Sequence, residues 1–257
     1  MLTGLVYPTT GEVSVLGFKP SDRSPLFLKQ IGLVMGNKQG LNWDLTAKQS
    51  FDLLSQIYEI PKVEYTTRLE KLTKLMQVET LLQTQIRRLS LGERMKMELI
   101  GAILHNPKIL ILDEPTIGLD VIAKQTLRKF LREIQAEMGV TLLLTSHDMD
   151  DIETVCDRVV IINKGQKIYD DSLSKLTSTY SQHKFVKISF NSAVPNLNLE
   201  TKGVEIVETK LQSALYKIDK RNLPEFLAQI AAFDVDDIDI QGVPLETIIQ
   251  ELFMQSK

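Results

Sequence analysis

The strongest chemical signal in the sequence is a pair of carboxylates directly after a run of branched apolar residues. Asp113 and Glu114 follow the segment 109–112, and Pro115 comes next. An apolar run without alternation predicts a buried parallel strand, and such a strand presents the residues at its carboxyl end to a ligand. There Asp113 could hold Mg²⁺ through water, and Glu114 could polarise an attacking water molecule. The alternative interpretation is a buried strand with an acidic end and no chemistry.

A second segment, upstream of the carboxylates, is suited to binding an anion. Ser90, Leu91, Gly92 and Glu93 precede apolar residues at helical spacing, so Ser90 is predicted to cap the amino terminus of a helix. Backbone N–H groups and the helix dipole at such a terminus favour a phosphate. A capping box between Ser90 and Glu93 is the structural interpretation of the same residues, and both interpretations can hold together.

A histidine follows a further apolar strand. The run 140–144 predicts a second buried strand, and Thr145, Ser146 and His147 come after it. Beside the carboxylate strand, His147 could sense a terminal phosphate. A purely structural histidine at a strand end is the alternative.

An α/β framework must position these residues. Strands are predicted at 31–35, 109–112 and 140–144, and they are separated by helical patterns at 46–58, from 69 to about 83, after 90, and at 121–138. A hairpin is predicted at 158–169, and a short alternating strand at 12–16. This order predicts a parallel sheet covered by helices. Residues 171–184, rich in Ser, Thr, Lys and Gln, predict a linker, and strands followed by helices predict a small α+β domain at 185–257.

Composition excludes several classes of protein. The net charge of −3 argues against binding to nucleic acid, because a basic surface supplies most of that affinity. One cysteine excludes an internal disulfide, and with three histidines no Cys/His metal cluster can form. No apolar run approaches the length of a membrane span, and the amino terminus has no secretory signal pattern. We therefore expect a cytoplasmic protein.

Two groups of polar residues are expected at the surface, without a role in the chemistry. The histidines His105 and His183 are expected to face solvent. Four acids after His147 are expected to form a solvated helix face, namely Asp148, Asp150, Asp151 and Glu153.

In this order, the segments resemble the ATP-binding subunits of ABC transporters, over residues 1 to about 170. Residues 90–93 stand where that family has its signature motif, most commonly Leu-Ser-Gly-Gly-Gln, and they depart from it at Leu91 and Glu93. Residues 118–120, Gly-Leu-Asp, are similar to the family's D-loop. The stretch 90–96 and the Trp43-Asp44-Leu45 segment are similar to exporters of drugs, sodium and polysaccharides.

The resemblance implies a domain organisation. It implies a P-loop NTPase-like parallel sheet with a helical signature subdomain at about 46–105, inside an ATPase domain at 1–170. The linker at 171–184 would then lead to a C-terminal accessory domain at 185–257.

The resemblance also implies roles for single residues. Asp113 would hold Mg²⁺ through water, Glu114 would be the catalytic base and His147 the switch residue. The nucleotide-binding residues would be Ser90, Leu91, Gly92, Glu93 and Asp120. Of these, Ser90 and Gly92 would reach nucleotide held by a partner subunit. A glutamine that contacts Mg²⁺ in the family maps near Asn37, with Gln39 as the nearest substitute.

The implied ligands and partners are those of the family. They are ATP and Mg²⁺, a second ABC ATPase subunit in a homodimer or heterodimer, and integral membrane permease subunits; no nucleic acid is implied. The protein would lie in the cytoplasm, peripherally on the inner face of the cell membrane.

One family motif does not occur in these residues. No Gly-x-x-x-x-Gly-Lys-Ser/Thr phosphate loop is present, and Met1–Gly4 resembles the end of the helix that begins in that loop. We therefore expect a truncated product or a start at an internal methionine, inactive by itself. The alternatives are a non-catalytic partner that lends its signature to an intact subunit, and a soluble ABC ATPase, although the tandem domains or long coiled coils of such ATPases are not seen.

Overall fold

A parallel three-stranded sheet organises the first of the two units into which the chain divides, Met1–Val155 and Cys156–Lys257. The computed structural model describes residues 1–36, 38–180, 183–194 and 203–255. The strands of the first unit are β1 (Ile31–Met35), β2 (Ile109–Asp113) and β3 (Thr141–Thr145), in the order β1-β2-β3. Met35 pairs with Asp113, and Asp113 pairs with Thr145. The three carboxyl ends therefore share one edge of the sheet.

Helices of the first unit form where apolar residues recur at helical spacing. They are α1 (Pro25–Leu28), α2 (Ala47–Ile57), α3 (Lys62–Met76), α4 (Leu91–Ile103), α5 (Val121–Met138) and α6 (Met149–Val155). On α5 the buried residues are Leu127, Phe130, Leu131 and Ile134, which make one face of the helix. Gly139 ends α5 in the left-handed conformation, a common helix stop. The predicted α/β class is confirmed.

The short strand predicted at 12–16 does not form. Val15 instead pairs with Phe18 in an isolated bridge, through two N–H···O bonds of 2.9 Å. Gly17 has φ +81° between them, so the chain turns back at once and no ladder can extend.

The second unit begins with the predicted hairpin. Its strands are β4 (Arg158–Asn163) and β5 (Gln166–Ser172), which pair antiparallel. Lys164 and Gly165 both have positive φ, as a tight two-residue turn between twisted strands requires. The unit thus starts before residue 170, where the sequence placed the end of the ATPase domain.

The segment predicted as a linker contains regular structure. After β5, residues 173–180 form α7 (Leu173–Tyr180), because Leu176 can bury its side chain completely. Residues 181 and 182 lie outside the described residues.

A four-stranded antiparallel sheet completes the second unit and agrees with the predicted α+β pattern. Its strands are β6 (His183–Phe190), β7 (Val204–Thr209), β8 (Ser213–Asp219) and β9 (Val235–Gln241), in the order β7-β8-β6-β9. The helices are α8 (Leu223–Ile230) and α9 (Leu245–Gln255). Alternate residues of β6 and β8 form the core with Phe226 and Ile230 of α8. Within the described ranges, none of the helices is both long enough and apolar enough to cross a bilayer.

Candidate functional site

The carboxyl ends of β2 and β3 bring the predicted catalytic residues together. The Thr145 hydroxyl donates to Asp113 Oδ1 at 2.6 Å, and the Glu114 N–H donates to the Thr145 carbonyl at 3.0 Å. Glu114 has φ +52°, an uncommon conformation for a residue with a side chain, so the backbone turns sharply out of the strand there. Strain of this kind is often retained where a side chain must be aimed.

Glu114 and His147 face each other across this edge. Nδ1 of His147 lies 2.8 Å from Oε2 of Glu114, and the two side chains are 73% and 32% exposed. The two groups are not hydrogen-bonded, and Oε2 is buried without a hydrogen-bond donor among the described residues. The buried Oε2 is closed to solvent, so orienting a water molecule falls to the other carboxylate oxygen of Glu114.

Asp113 fits a magnesium ion that is held mainly by other ligands. Its side chain is exposed, and one of its two oxygens accepts from Thr145. The described residues contain no group of three His, Cys, Asp or Glu side chains able to cage a metal. Mg²⁺ usually keeps several waters and takes one or two carboxylates together with substrate phosphates, which a single exposed carboxylate allows.

The loop after β1 starts against the catalytic strand. The N–H of Gly36 donates to the Asp113 carbonyl at 2.7 Å, and a Cβ at Gly36 would lie 2.1 Å from the Glu114 carbonyl oxygen. Only glycine permits this approach. Asn37 lies outside the described residues, and Gln39 is exposed in an irregular segment. The metal contact assigned to one of them therefore stays a prediction.

The capping box predicted at the start of α4 is present. Ser90 Oγ accepts from the Glu93 N–H at 3.3 Å, and Glu93 Oε2 accepts from the Ser90 N–H at 2.9 Å. The N–H groups of Leu91 and Gly92 have no intrahelical acceptor by their position in the first turn. They are therefore suited to an incoming anion.

Asp120 caps the neighbouring helix and lies in the same region of the surface. Its carboxylate accepts from the Ala123 N–H at 2.8 Å. A Cβ at Gly92 would lie 3.3 Å from the Ala123 Cβ, and a Cβ at Gly118 would lie 3.0 Å from the Leu91 side chain. Exposed apolar side chains are concentrated here, namely Leu91, Ile117, Val121 and Ile122. Exposed apolar patches are typical of contact surfaces.

Sequence reasoning missed a buried ionic network behind His147. Asp151 was expected on a solvated helix face, but it is 1% exposed. It accepts from Arg128 Nε at 2.6 Å, from the Ser146 hydroxyl at 2.8 Å and from the Thr116 hydroxyl. The network thus fixes the residue before His147 to α5 and to the segment after Glu114.

Asp148 is also paired rather than solvated. It accepts from Lys124 at 2.6 Å and from Arg128 at 3.1 Å. The hydrogen bond from Lys124, with the charges of both cations, holds the pKa of Asp148 below its usual value. The basic residues Lys124 and Arg128 are one helical turn apart, and that spacing was the signal that could have predicted a matching acidic stripe.

His105 does not face solvent as expected. Its ring stacks on Tyr58 with centroids 3.9 Å apart, and its Nε2 lies 3.0 Å from the Ile31 carbonyl oxygen. Burial lowers the pKa of His105 to about 4, so the ring is neutral at neutral pH. Since Nε2 then donates to Ile31, this histidine has a structural role beneath β1.

Comparisons with known proteins identify a family. A family profile described as ABC transporter matches residues 1–117. The chain is 30% identical over 176 residues to the ABC transporter ATP-binding protein NatA of Bacillus subtilis (strain 168), which covers 68% of this chain and 71% of NatA. It is 32% identical over 168 residues to the Nod factor export ATP-binding protein I of Rhizobium leguminosarum bv. viciae, which covers 65% of this chain.

Solved structures include a similar fold. The structure of an ATP-binding subunit of an ABC transporter matches with a TM-score of 0.62 at 27% identity, covering 70% of this chain and 74% of that one. The chain spans 53% of the length of the Nod factor export protein.

Proposed function

Because the chain belongs to the family of ABC transporter ATP-binding proteins, we propose that it is an ATP-hydrolysing subunit of an exporter. Transport would proceed through separate integral membrane subunits, with this chain on the cytoplasmic face of the membrane. The observation that carries the proposal is the shared strand edge, where Glu114 and His147 lie 2.8 Å apart beside Asp113.

Each residue at this edge would have a separate role in ATP hydrolysis. Glu114 would orient and polarise the attacking water through its other carboxylate oxygen, and His147, 2.8 Å from Oε2, would meet the terminal phosphate. Asp113 would hold Mg²⁺ through water, with Asn37 or Gln39 as a further contact. When bound, Mg²⁺ neutralises charge that develops on the phosphate oxygens.

The signature segment serves a second subunit in this proposal. The N–H groups at the start of α4, at Leu91 and Gly92, would meet a phosphate of nucleotide bound to the partner. Ser90 and Glu93 hold the turn through the capping box, and Asp120 fixes the adjacent helix. The exposed apolar patch around Leu91 supports a subunit contact at this surface.

A second candidate function concerns the signature segment alone. These 257 residues contain no phosphate loop, although the capping box of the signature is complete. By themselves they would bind ATP weakly, because that loop supplies most contacts to the phosphates. The chain could then act as a non-catalytic partner that completes one site on an intact subunit.

The first experiment tests hydrolysis in a restored chain, made by joining the phosphate-loop segment of NatA ahead of Met1. We expect Mg-ATP binding and hydrolysis, and Glu114→Gln should keep binding while hydrolysis falls by about 100-fold or more. Glu70→Gln, at an exposed glutamate of α3, is the matched control and should change neither. Loss of ATP binding in Glu114→Gln would mean that Glu114 is structural.

The second experiment tests the division between the two subunits. A restored chain carrying Gly92→Asp is mixed with the 257-residue chain, so that only a mixed pair has a complete site. Gly92→Asp in the 257-residue chain should abolish the remaining hydrolysis, because a charged side chain would enter the phosphate space. Glu114→Gln in that chain should leave it nearly unchanged. Equal effects of the two substitutions would refute the division.

A further inference from the structure

One face of α4 holds the segment 40–43, which follows the loop after β1. Arg94, Glu98 and Gly101 are spaced four and three residues apart, so they lie on one face of the helix. Each contacts this segment. A Cβ at Gly101 would lie 3.2 Å from the Leu41 side chain, so the helix and the segment are closely packed.

Glu98 accepts hydrogen bonds from two backbone amides of the segment. The Gly40 N–H lies 3.0 Å and 3.1 Å from its two carboxylate oxygens, and the Leu41 N–H lies 3.1 Å from Oε1. Glu98 is half-buried, and burial raises its pKa against the opposing effect of these amides and of the Arg94 charge. A Cβ at Gly40 would lie 2.9 Å from Oε2, so glycine is what lets the carboxylate approach the backbone.

Arg94 joins the same segment to the residues before the signature. Its guanidinium lies 4.7 Å from the centre of the Trp43 ring, and its Nη2 donates to the Leu89 carbonyl at 3.2 Å. Trp43 is 39% exposed. The Arg94 side chain therefore connects the exposed ring to the start of α4.

The other end of the loop is attached to the sheet. Gly36 is bonded to the Asp113 carbonyl and lies against the Glu114 backbone. The chain thus passes from the catalytic strand at Gly36 to α4 at Gly40. A displacement of Trp43 therefore acts on α4 through Glu98 and Arg94, and on the residues before α4 through the Arg87 N–H, which donates to the Trp43 carbonyl at 3.3 Å.

We propose that Glu98 is a positioning residue that fastens the segment 40–43 to α4, so that Trp43 and the signature residues 90–93 move as one body relative to the sheet edge. Its use in an exporter rests on the proposed function. In an exporter, a membrane subunit that pushes on the exposed Trp43 ring would displace the signature residues. The rate of ATP hydrolysis would then depend on the force that the membrane subunit exerts. Without Glu98, residues 40 and 41 would no longer be held on α4, and a smaller part of the displacement would reach the helix.

The attachment can be tested in the 257-residue chain without nucleotide, because Trp43 is its only tryptophan. In Glu98→Ala we expect a red shift of Trp43 emission and stronger quenching by acrylamide. Amide exchange at Gly40 and Leu41 should accelerate about tenfold, the factor that corresponds to one hydrogen bond of about 1.4 kcal/mol. Glu98→Gln keeps an acceptor oxygen and should stay close to the wild type, and Glu70→Ala is the exposed control.

A second variant disrupts the contact between Glu98 and Gly40 by changing the loop instead of the helix. Gly40→Ala lies in an exposed loop and should displace the carboxylate, so that it reproduces the emission shift while α4 keeps its sequence. Circular dichroism establishes that the variants are folded. If folded Glu98→Ala and Gly40→Ala both show wild-type emission and exchange, the attachment does not exist.

The effect on hydrolysis is measured in the restored chain described above. Glu98→Ala should lower kcat and leave the KM for ATP unchanged, because the chain's own phosphate loop sets the affinity; Glu98→Gln should keep the wild-type kcat. An unchanged kcat in a variant with a released Trp43 would refute the role in catalysis. A restored chain that shows no hydrolysis at all would refute the proposed function, and the emission and exchange measurements would still decide whether Glu98 fastens the segment.

Discussion

Removing the Asp151 carboxylate should destabilise the first unit far more than removing its neighbour. Asp151 is 1% exposed, and Arg128, its partner at 2.6 Å, is 12% exposed. Asp151→Ala leaves the guanidinium partly unpaired and removes the acceptor of two hydroxyls, on Thr116 and Ser146. Breaking a buried ion pair from one side costs about 3–5 kcal/mol, and Arg128 keeps Asp148, so we expect about 3–4 kcal/mol.

Asp150→Ala is the matched control on the same helix. Its carboxylate lies 3.5 Å from Arg128 and is 77% exposed, so its loss should cost less than about 1 kcal/mol. The destabilisation by Asp151→Asn should lie between those of Asp151→Ala and Asp150→Ala, because asparagine keeps an acceptor oxygen and loses the charge.

Urea unfolding followed by Trp43 fluorescence measures this difference, because the only tryptophan lies in the first unit. The urea concentration at the midpoint of unfolding should change, while the dependence of the free energy of unfolding on urea concentration stays constant. Equal costs for Asp151→Ala and Asp150→Ala would refute the view that burial makes the Asp151 ion pair important. A normal stability in Asp151→Ala would likewise mean that the network does not hold the segment around His147.

Two further predictions concern residues packed against the sheet. The pKa of His105 is lowered to about 4 in the native protein, so on acidification the unfolded chain takes up a proton before the native protein does. The free energy of unfolding should therefore have its full value above pH 6.5 and fall by about 3 kcal/mol as the pH falls from 6.5 to 4. His105→Gln should remove this part of the pH dependence in urea titrations, and an unchanged profile would contradict it. Gly36→Ala should cost at least about 2 kcal/mol in the same unfolding assay, because its Cβ would overlap the Glu114 carbonyl, and a wild-type stability would contradict this close approach.

Local patterns in the sequence were sufficient to predict most of the elements. Apolar runs gave the buried parallel strands, and helical spacing gave α2 to α5. The cap at Ser90 was predicted because capping involves residues only three positions apart, and the structure shows that Asp120 caps α5 with the same spacing. The order of the motifs then pointed to the family. Each motif, such as a strand with two carboxylates at its end, is a local sequence pattern that can be recognised without knowing the fold.

Only the tertiary structure decided which polar residues meet. Glu98 and Gly40 are separated by 58 residues, and Asp151 and Arg128 by 23, so no local periodicity connects them. His105 and Asp151 were expected in solvent because a polar residue next to a helix face carries no signal of what packs over it. The 2.8 Å approach of His147 to Glu114 requires β2 and β3 to be parallel neighbours in register, and strand order is a property of the whole sheet.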